Sequence, residues 1–250
     1  MRVLIISDIH SNLEALDAVL AAAPEHHAIW NLGDTVGYAA NPNEVIEKLQ
    51  RVEGISIRGN HDRACTSGTD NDDFSPIADQ AVQWTRGVLT REHSRWLELL
   101  PLGPVSPCTS DVSCVHGSPV HEDEYLFSPD DALLAFQAAD ARITFFGHTH
   151  QQVGFATDGE DLYRVEPLFS TDDDADEFEL PLRRGFRYLL NPGSAGQPRD
   201  GDWRAAYALY DEDRAVFTWH RAPYDISRTQ QSIRRAGLPD FLADRLRAGR

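Results

Sequence analysis

Apolar residues come in two rhythms along this chain: short unbroken runs, and longer stretches that repeat every three to four positions. Residues 2–7 are nearly continuous, apolar and β-branched, the pattern of a strand buried on both faces. Residues 11–23 then place Leu13, Leu16, Val19 and Leu20 on one helical face, with Pro24 just past the end. A second strand is predicted over 27–32. A second helix follows over 42–50, opened by Asn41-Pro42 and carrying Val45, Ile46 and Leu49, and a third strand over 54–58. This β-α-β-α-β order predicts parallel strands joined by right-handed crossovers.

The middle of the chain is more helical. Helices are predicted over 75–86 and 91–100, carrying Ile77, Val82, Trp84, Trp96, Leu97 and Leu100 and stopped by Pro101. Strand 111–116, helix 129–138 and strand 142–146 follow. Asp158-Gly159 is a hairpin turn between 151–156 and 161–166. Residues 171–179 crowd carboxylates without the ligand order or glycine of an EF-hand, so a solvated acidic surface loop is expected. Strand 186–190, a hairpin of 205–210 and 214–220, and a helical tail from Asp225, interrupted at Gly237-Leu238-Pro239, complete the pattern. No repeat or linker-like stretch divides the chain. Residues 1–250 are expected to form one domain ending in a helical tail, 225–250.

Composition narrows the partners. A formal net charge of -17, from 40 acidic against 23 basic residues, repels polyanions and argues against nucleic-acid polymers and membranes as partners. Lys48 is the only lysine; a salty cytoplasm and an arginine-rich genome both account for that. No run approaches the ~20 apolar residues that span a bilayer, and the N-terminus has no signal-peptide pattern, so a cytoplasmic location is expected. Cys65, Cys108 and Cys114 are too few and too irregular for a disulfide framework or a thiolate zinc site.

The ends of the strands carry the chemistry. Five apolar runs stop at Asp8-Ile9-His10, Gly33-Asp34, Gly59-Asn60-His61-Asp62, His116-Gly117 and Gly147-His148-Thr149-His150. In open α/β sheets, sites form beyond the carboxyl ends of strands. Asp8, His10, Asp34, Asn60, His116, His148 and His150 make seven potential ligands, too many for one tetrahedral ion with an open position. They suit two ions sharing a bridging carboxylate. Imidazole, carboxylate and amide oxygen without sulfur favour Mn, Fe, Co, Ni or Zn. Two such ions bind phosphate oxygens and bring hydroxide into existence near neutral pH. His61 is placed to give the leaving oxygen a proton, with Asp62 expected to hold its ring in one tautomer.

Those five blocks, in this order, resemble the signature blocks of the calcineurin-like metallophosphoesterase superfamily. The stretches around Ser7–Asn12, Gly33–Tyr38, His116–Pro119 and Asn191–Arg199 extend the resemblance to its small prokaryotic branch. The resemblance implies a four-layer α/β/β/α sandwich of two mixed β-sheets. It implies one ion on Asp8, His10, Asp34 and His150 and another on Asp34, Asn60, His116 and His148, with Asp34 bridging and manganese favoured. It implies a phosphoesterase acting on phosphate mono- or diesters, with His61 as acid or transition-state stabiliser oriented by Asp62. The partner expected is a small phosphate ester or nucleotide.

Substrate contacts are less clearly marked. Asn12 is a candidate for the pocket and equally for a helix cap. Tyr38 is a candidate there and equally a packed aromatic. Arg199 offers a phosphate a guanidinium, and a surface ion pair remains the alternative. Two rival functions stay open: a non-catalytic scaffold, which typically loses ligands or the catalytic histidine, and a metal-dependent nucleotide sensor.

Overall fold

The computed structural model describes residues 1–67, 74–109 and 111–250, and of Ser67 the backbone alone. Its first half follows the alternation of the sequence. Strand β1 (Arg2–Ile6) leads to helix α1 (Leu13–Ala22), β2 (Ala28–Asn31), α2 (Pro42–Leu49) and β3 (Gly54–Ser56). β1, β2 and β3 pair in parallel. Helices α3 (Asn60–Ser67), α4 (Pro76–Val88) and α5 (Arg91–Glu98) come next, then β4 (Val112–Cys114), α6 (Pro129–Ala138) and β5 (Ile143–Phe145). The remaining strands are β6 (Gln152–Thr157), β7 (Leu162–Val165), β8 (Asp176–Pro181), β9 (Arg187–Pro192), β10 (Ala205–Asp211) and β11 (Val216–Ala222). Helices α7 (Ile226–Arg235) and α8 (Asp240–Asp244) and a 3-10 turn over Arg245–Ala248 close the chain.

The strands form two mixed sheets, ordered β3-β2-β1-β10-β11-β8 and β4-β5-β9-β6-β7. Alternation along β1 explains the layering. Val3 and Ile5 point into a core that also takes Ile143, Phe145, Leu190 and Trp219, so the two sheets pack face to face. Leu4 and Ile6 point the other way, against Leu16 and Val19 of α1 and Val45 and Leu49 of α2. The far face of the second sheet buries Phe155 and Leu189 against Ala132, Ala135 and Phe136 of α6. The result is an α/β/β/α sandwich. α7 and α8 pack Ile233 and Leu242 against Tyr38 and Ala39. Among the described residues no helix is long and apolar enough to cross a membrane.

One expected element is corrected. The acidic stretch 171–179 is not loop throughout, because its second half enters β8, the edge strand beside β11. Asp176, Phe178 and Leu180 are partly buried while Glu177, Glu179 and Pro181 are exposed, and Phe178 faces Trp219 at 6.2 Å between ring centroids. The two glutamates form a charged outer row of the kind that guards an edge strand against pairing with other chains. The period-two signal is real but is masked by the aspartates before it.

His220 on β11 is buried with its ring stacked on Tyr207, 4.9 Å between centroids. Its Nε2 has no hydrogen-bond partner, and burial pulls its pKa down to about 4. The Glu177 carboxylate 3.4 Å from Nδ1 is exposed and too well hydrated to hold a proton there. An unfolded histidine titrates near 6.5. Between about pH 6.5 and 4 the unfolded chain therefore binds a proton that the folded chain refuses, and stability falls as pH falls. In urea denaturation of the metal-free protein, the His220→Phe variant should gain about 2 kcal/mol on wild type between pH 7.5 and pH 4.5. A difference that stays constant with pH would contradict this.

Candidate metal centre

The loops that leave the parallel strands of both sheets converge at one place. Asp8 and His10 follow β1, Asp34 follows β2, and Asn60 and His61 open α3 just beyond β3. His116 follows β4, and His148 and His150 follow β5. Backbone bonds lock these loops together: Asp8 N donates to Gly33 O and His10 N to Asp34 O, both at 3.0 Å, and Gly147 N donates to His116 O at 2.8 Å. Asn191 Nδ2 donates to Gly147 O at 2.9 Å and to Thr149 Oγ1 at 3.0 Å, fixing the histidine loop from below. Asp8, His10, Asp34, His148 and His150 all have φ between 49° and 65°. That left-handed region costs a side chain roughly 1–2 kcal/mol per residue, and such strain concentrates at functional sites. Gly59 and Gly147 are required by close approach. A Cβ on Gly59 would lie 2.1 Å from Asp34 Oδ1, and one on Gly147 would lie 3.0 Å from Asp8 Oδ2.

Each carboxylate divides its two oxygens between structure and site. Asp34 Oδ1 accepts from His61 N at 2.8 Å and Asp8 Oδ2 from His148 N at 3.1 Å. Asp34 Oδ2 and Asp8 Oδ1 are buried with no hydrogen-bond partner. The imidazoles divide their nitrogens in the same way. Nδ1 of His10, His116 and His150 faces the carbonyls of Val36 (3.1 Å), Leu32 (2.9 Å) and Gln197 (2.6 Å). His148 turns Nε2 to Asp123 O at 3.2 Å. A carbonyl can only accept, so the facing nitrogen carries the proton, and in the neutral ring the other nitrogen offers its lone pair inward. His10 Nε2 and His150 Nε2 then face each other at 3.1 Å.

Acceptors aimed at acceptors in a buried site fit a cation. Asp8, His10, Asp34 and His150 each offer one ligand atom within 4.8 Å of the others, and so do Asp34, His116 and His148. Asn60 Oδ1 lies 3.1 Å from His116 Nε2 and joins the second group. Asp34 Oδ2 is 3.6 Å from His10 Nε2 and 3.5 Å from His116 Nε2, so it sits between the two groups. The donor set of nitrogen and oxygen suits borderline first-row divalent metals.

The electrostatics point the same way. Burial opposes ionisation of Asp8 and Asp34, yet His150 beside Asp8 and His116 beside Asp34 hold both carboxyls well below the usual range. Burial would also lower His116, but Asp34 overrides it and pushes the ring up to about 10. Burial, followed by the charge on His116, takes His148 down to about 3. Burial likewise lowers His10 and His150. The cluster favours positive charge at its centre.

A cavity of about 180 Å³ opens over this cluster. Tyr38 and Arg199 line it, with Arg199 Nη2 3.4 Å from the Tyr38 hydroxyl and Arg199 Nε buried without a partner. His61 lines it too, its ring 4.5 Å from Tyr38 and 4.7 Å from Phe74, with Nδ1 unpartnered. Asn12 does not reach it. Its Oδ1 caps α1 by accepting from Ala15 N at 3.1 Å, and its Nδ2 donates to Gly196 O at 2.8 Å. Fully buried, it is a structural cap and not a substrate contact. Asp62 is also corrected. It does not orient the His61 ring, because its oxygens accept from Val36 N at 3.1 Å and Gly59 N at 3.0 Å. It ties the loop after β2 to the loop after β3. Phe74 and Tyr125 line the cavity without any mark in the sequence, since neither adjoins a strand-end block.

Residues 1–215 match the profile of the calcineurin-like phosphoesterase superfamily domain. The chain is 36% identical over 251 residues to an uncharacterised protein of Methanocaldococcus jannaschii, covering 98% of this chain and 97% of that protein. A metallophosphoesterase structure from Sphaerobacter thermophilus superposes with a TM-score of 0.88 at 42% identity, over 100% of this chain and 99% of that one. A hypothetical protein from Pyrococcus horikoshii OT3 shares the fold, with a TM-score of 0.75 at 19% identity over 100% and 98% of the two chains.

The tether made by Asp62 has a measurable cost when cut. Asp62→Ala leaves two buried backbone N–H groups without acceptors, and an unsatisfied buried donor costs about 1–3 kcal/mol. Urea denaturation should show a loss of about 2–6 kcal/mol. Unchanged stability with lost turnover would return Asp62 to a role on the His61 ring.

Proposed function

The chain belongs to the calcineurin-like phosphoesterase superfamily, and we propose that it hydrolyses small phosphate mono- or diesters at a two-metal centre. The observation that carries this reading is the pair of orphaned carboxylate oxygens, Asp8 Oδ1 and Asp34 Oδ2, buried among inward-facing imidazole nitrogens. Asp8, His10, Asp34 and His150 would hold one ion. Asp34, Asn60, His116 and His148 would hold the other, with Asp34 shared. Two bound divalent cations supply Lewis acidity toward phosphoryl oxygens and a water nucleophile near neutral pH. The mixed nitrogen and oxygen ligands are compatible with Mn, Fe, Co, Ni or Zn, and manganese is the favoured occupant.

The chain's own residues do the rest. Arg199 lines the cavity and keeps a buried Nε without a partner, a charged donor that suits an anionic oxygen. Tyr38 and Phe74 confine the His61 ring. Burial, despite the nearby Asp34 carboxylate, lowers His61 to about 4, so the free ring is neutral at pH 7. A neutral ring donates one N–H to a phosphoryl oxygen. The negative charge of a bound phosphate ester raises its pKa, so that the ring can take up a proton from solvent and pass it to the leaving oxygen. The histidine and the full ligand set are present, whereas a non-catalytic scaffold is expected to have lost some of them.

The test is a metal-by-substrate screen on metal-stripped protein, using p-nitrophenyl phosphate and its bis ester with each of the five metals. Turnover should return with divalent metal, most strongly with manganese. His61→Ala should lower kcat by about 10²- to 10⁴-fold with bound metal unchanged. Absence of metal-dependent turnover, or a fully active His61→Ala, would overturn the reading.

A further inference from the structure

We propose that Tyr125 and Phe127, which continue outward from His148, form a stacking platform for a nucleobase, so that the ester this pocket takes is a nucleoside phosphate. This rests on the phosphoesterase reading above and names its substrate class.

Three near-parallel rings leave the metal cluster. Tyr125 lies on His148 at 3.9 Å between centroids with an 18° tilt. Phe127 lies against Tyr125 at 5.1 Å and 10°. Both aromatic side chains are exposed, at 42% and 44%, beside the mouth of the cavity that Tyr125 lines. Tyr125 is sandwiched between His148 and Phe127, so the outer face of Phe127 is the π-surface that the stack offers.

The backbone beneath them is fixed independently of the rings. Phe127 N and Ser128 N donate to Asp131 Oδ2 at 3.1 and 2.8 Å in the capping box of α6. Arg164 Nη1 holds Phe127 O at 2.9 Å. The Phe127 ring is therefore presented on a fixed backbone.

Size and charge select the occupant. Sites that enclose a small organic ligand run from roughly 300 Å³ upward, and this cavity holds about 180 Å³. That is room for the phosphoryl group and its first attached atoms, so the organic part must lie outside. A planar, neutral base suits an aromatic surface on a chain of net charge -17, which repels a polymer of phosphates. The run of rings extends two spacings from His148. Phe127 lies outside the residues that line the cavity, which suits a base carried on ribose better than a ring esterified directly to phosphorus.

The experiment compares wild type, Phe127→Ala and Phe127→Trp, loaded with manganese, on three ester classes. These are AMP and 3′,5′-cyclic AMP, p-nitrophenyl phosphate and its bis ester, and glycerol 2-phosphate and glycerophosphocholine. Loss of one stacked base contact corresponds to about 5- to 150-fold. Phe127→Ala should lower kcat/KM for the nucleoside esters by that factor, chiefly through KM, and leave the other two classes within about twofold. Phe127→Trp should retain or improve nucleoside turnover. The unchanged glycerol esters also serve as the control for folding. Equal effects on all classes, or none, would overturn the platform. A larger effect on the aryl esters would assign it to aryl phosphates and overturn the nucleoside assignment. Wild type that cleaves aryl or glycerol esters but no nucleoside ester would overturn this inference and leave the phosphoesterase reading standing. Turnover of none of the six would overturn both.

Discussion

Two carboxylates buried among lone pairs set the terms for everything else in this molecule. Asp8 and Asp34 each spend one oxygen on a backbone N–H and turn the other, without a hydrogen-bond partner, toward imidazole nitrogens. A buried unpaired charge costs several kcal/mol, and two of them at one centre could not persist without positive charge between them. The raised pKa of His116 is the chain's partial answer when only protons are available. The pair of divalent cations proposed for this centre would answer it fully, since each ion would sit among the oxygens and nitrogens that now face one another.

The scaffold is built to keep those lone pairs pointing inward. Sheet-on-sheet packing around Phe145, Leu190 and Trp219 sets the distance between the loops of β1–β3 and those of β4 and β5. The loops accept left-handed backbone at five of the seven potential ligands, a strain of several kcal/mol in total at roughly 1–2 kcal/mol each. Carbonyls of Leu32, Val36, Asp123 and Gln197 then fix each imidazole tautomer. Asp62 and Asn12, buried and polar, do their work on backbone and not on substrate. They hold the loops that carry the chemistry, and this is why they look like site residues in sequence.

The strand-end residues were legible because a buried parallel strand must be apolar and then stop, so a polar residue at its end stands out. Period alone placed β1, α1, β2 and α2. β8 was missed because the aspartates of residues 172–174 hid the alternation that brings Phe178 to Trp219. The oxygen preference of Asp62 was not legible. Proximity in sequence to His61 suggests a ring contact, whereas the turn into α3 aims the carboxylate at Val36 and Gly59. Phe74, Tyr125 and Phe127 were invisible for a different reason. Their role comes from where loops land in space, and no local spacing encodes that.

The most direct measurement of the central claim is the number of manganese ions retained per chain after metal stripping, reloading and gel filtration, counted by elemental analysis for wild type and Asp34→Asn. The account predicts two ions for wild type and at most one for the variant, because the Asp34 oxygen lies between both groups of ligands. A wild-type chain that binds one ion or none, or a variant that still holds two, would contradict it.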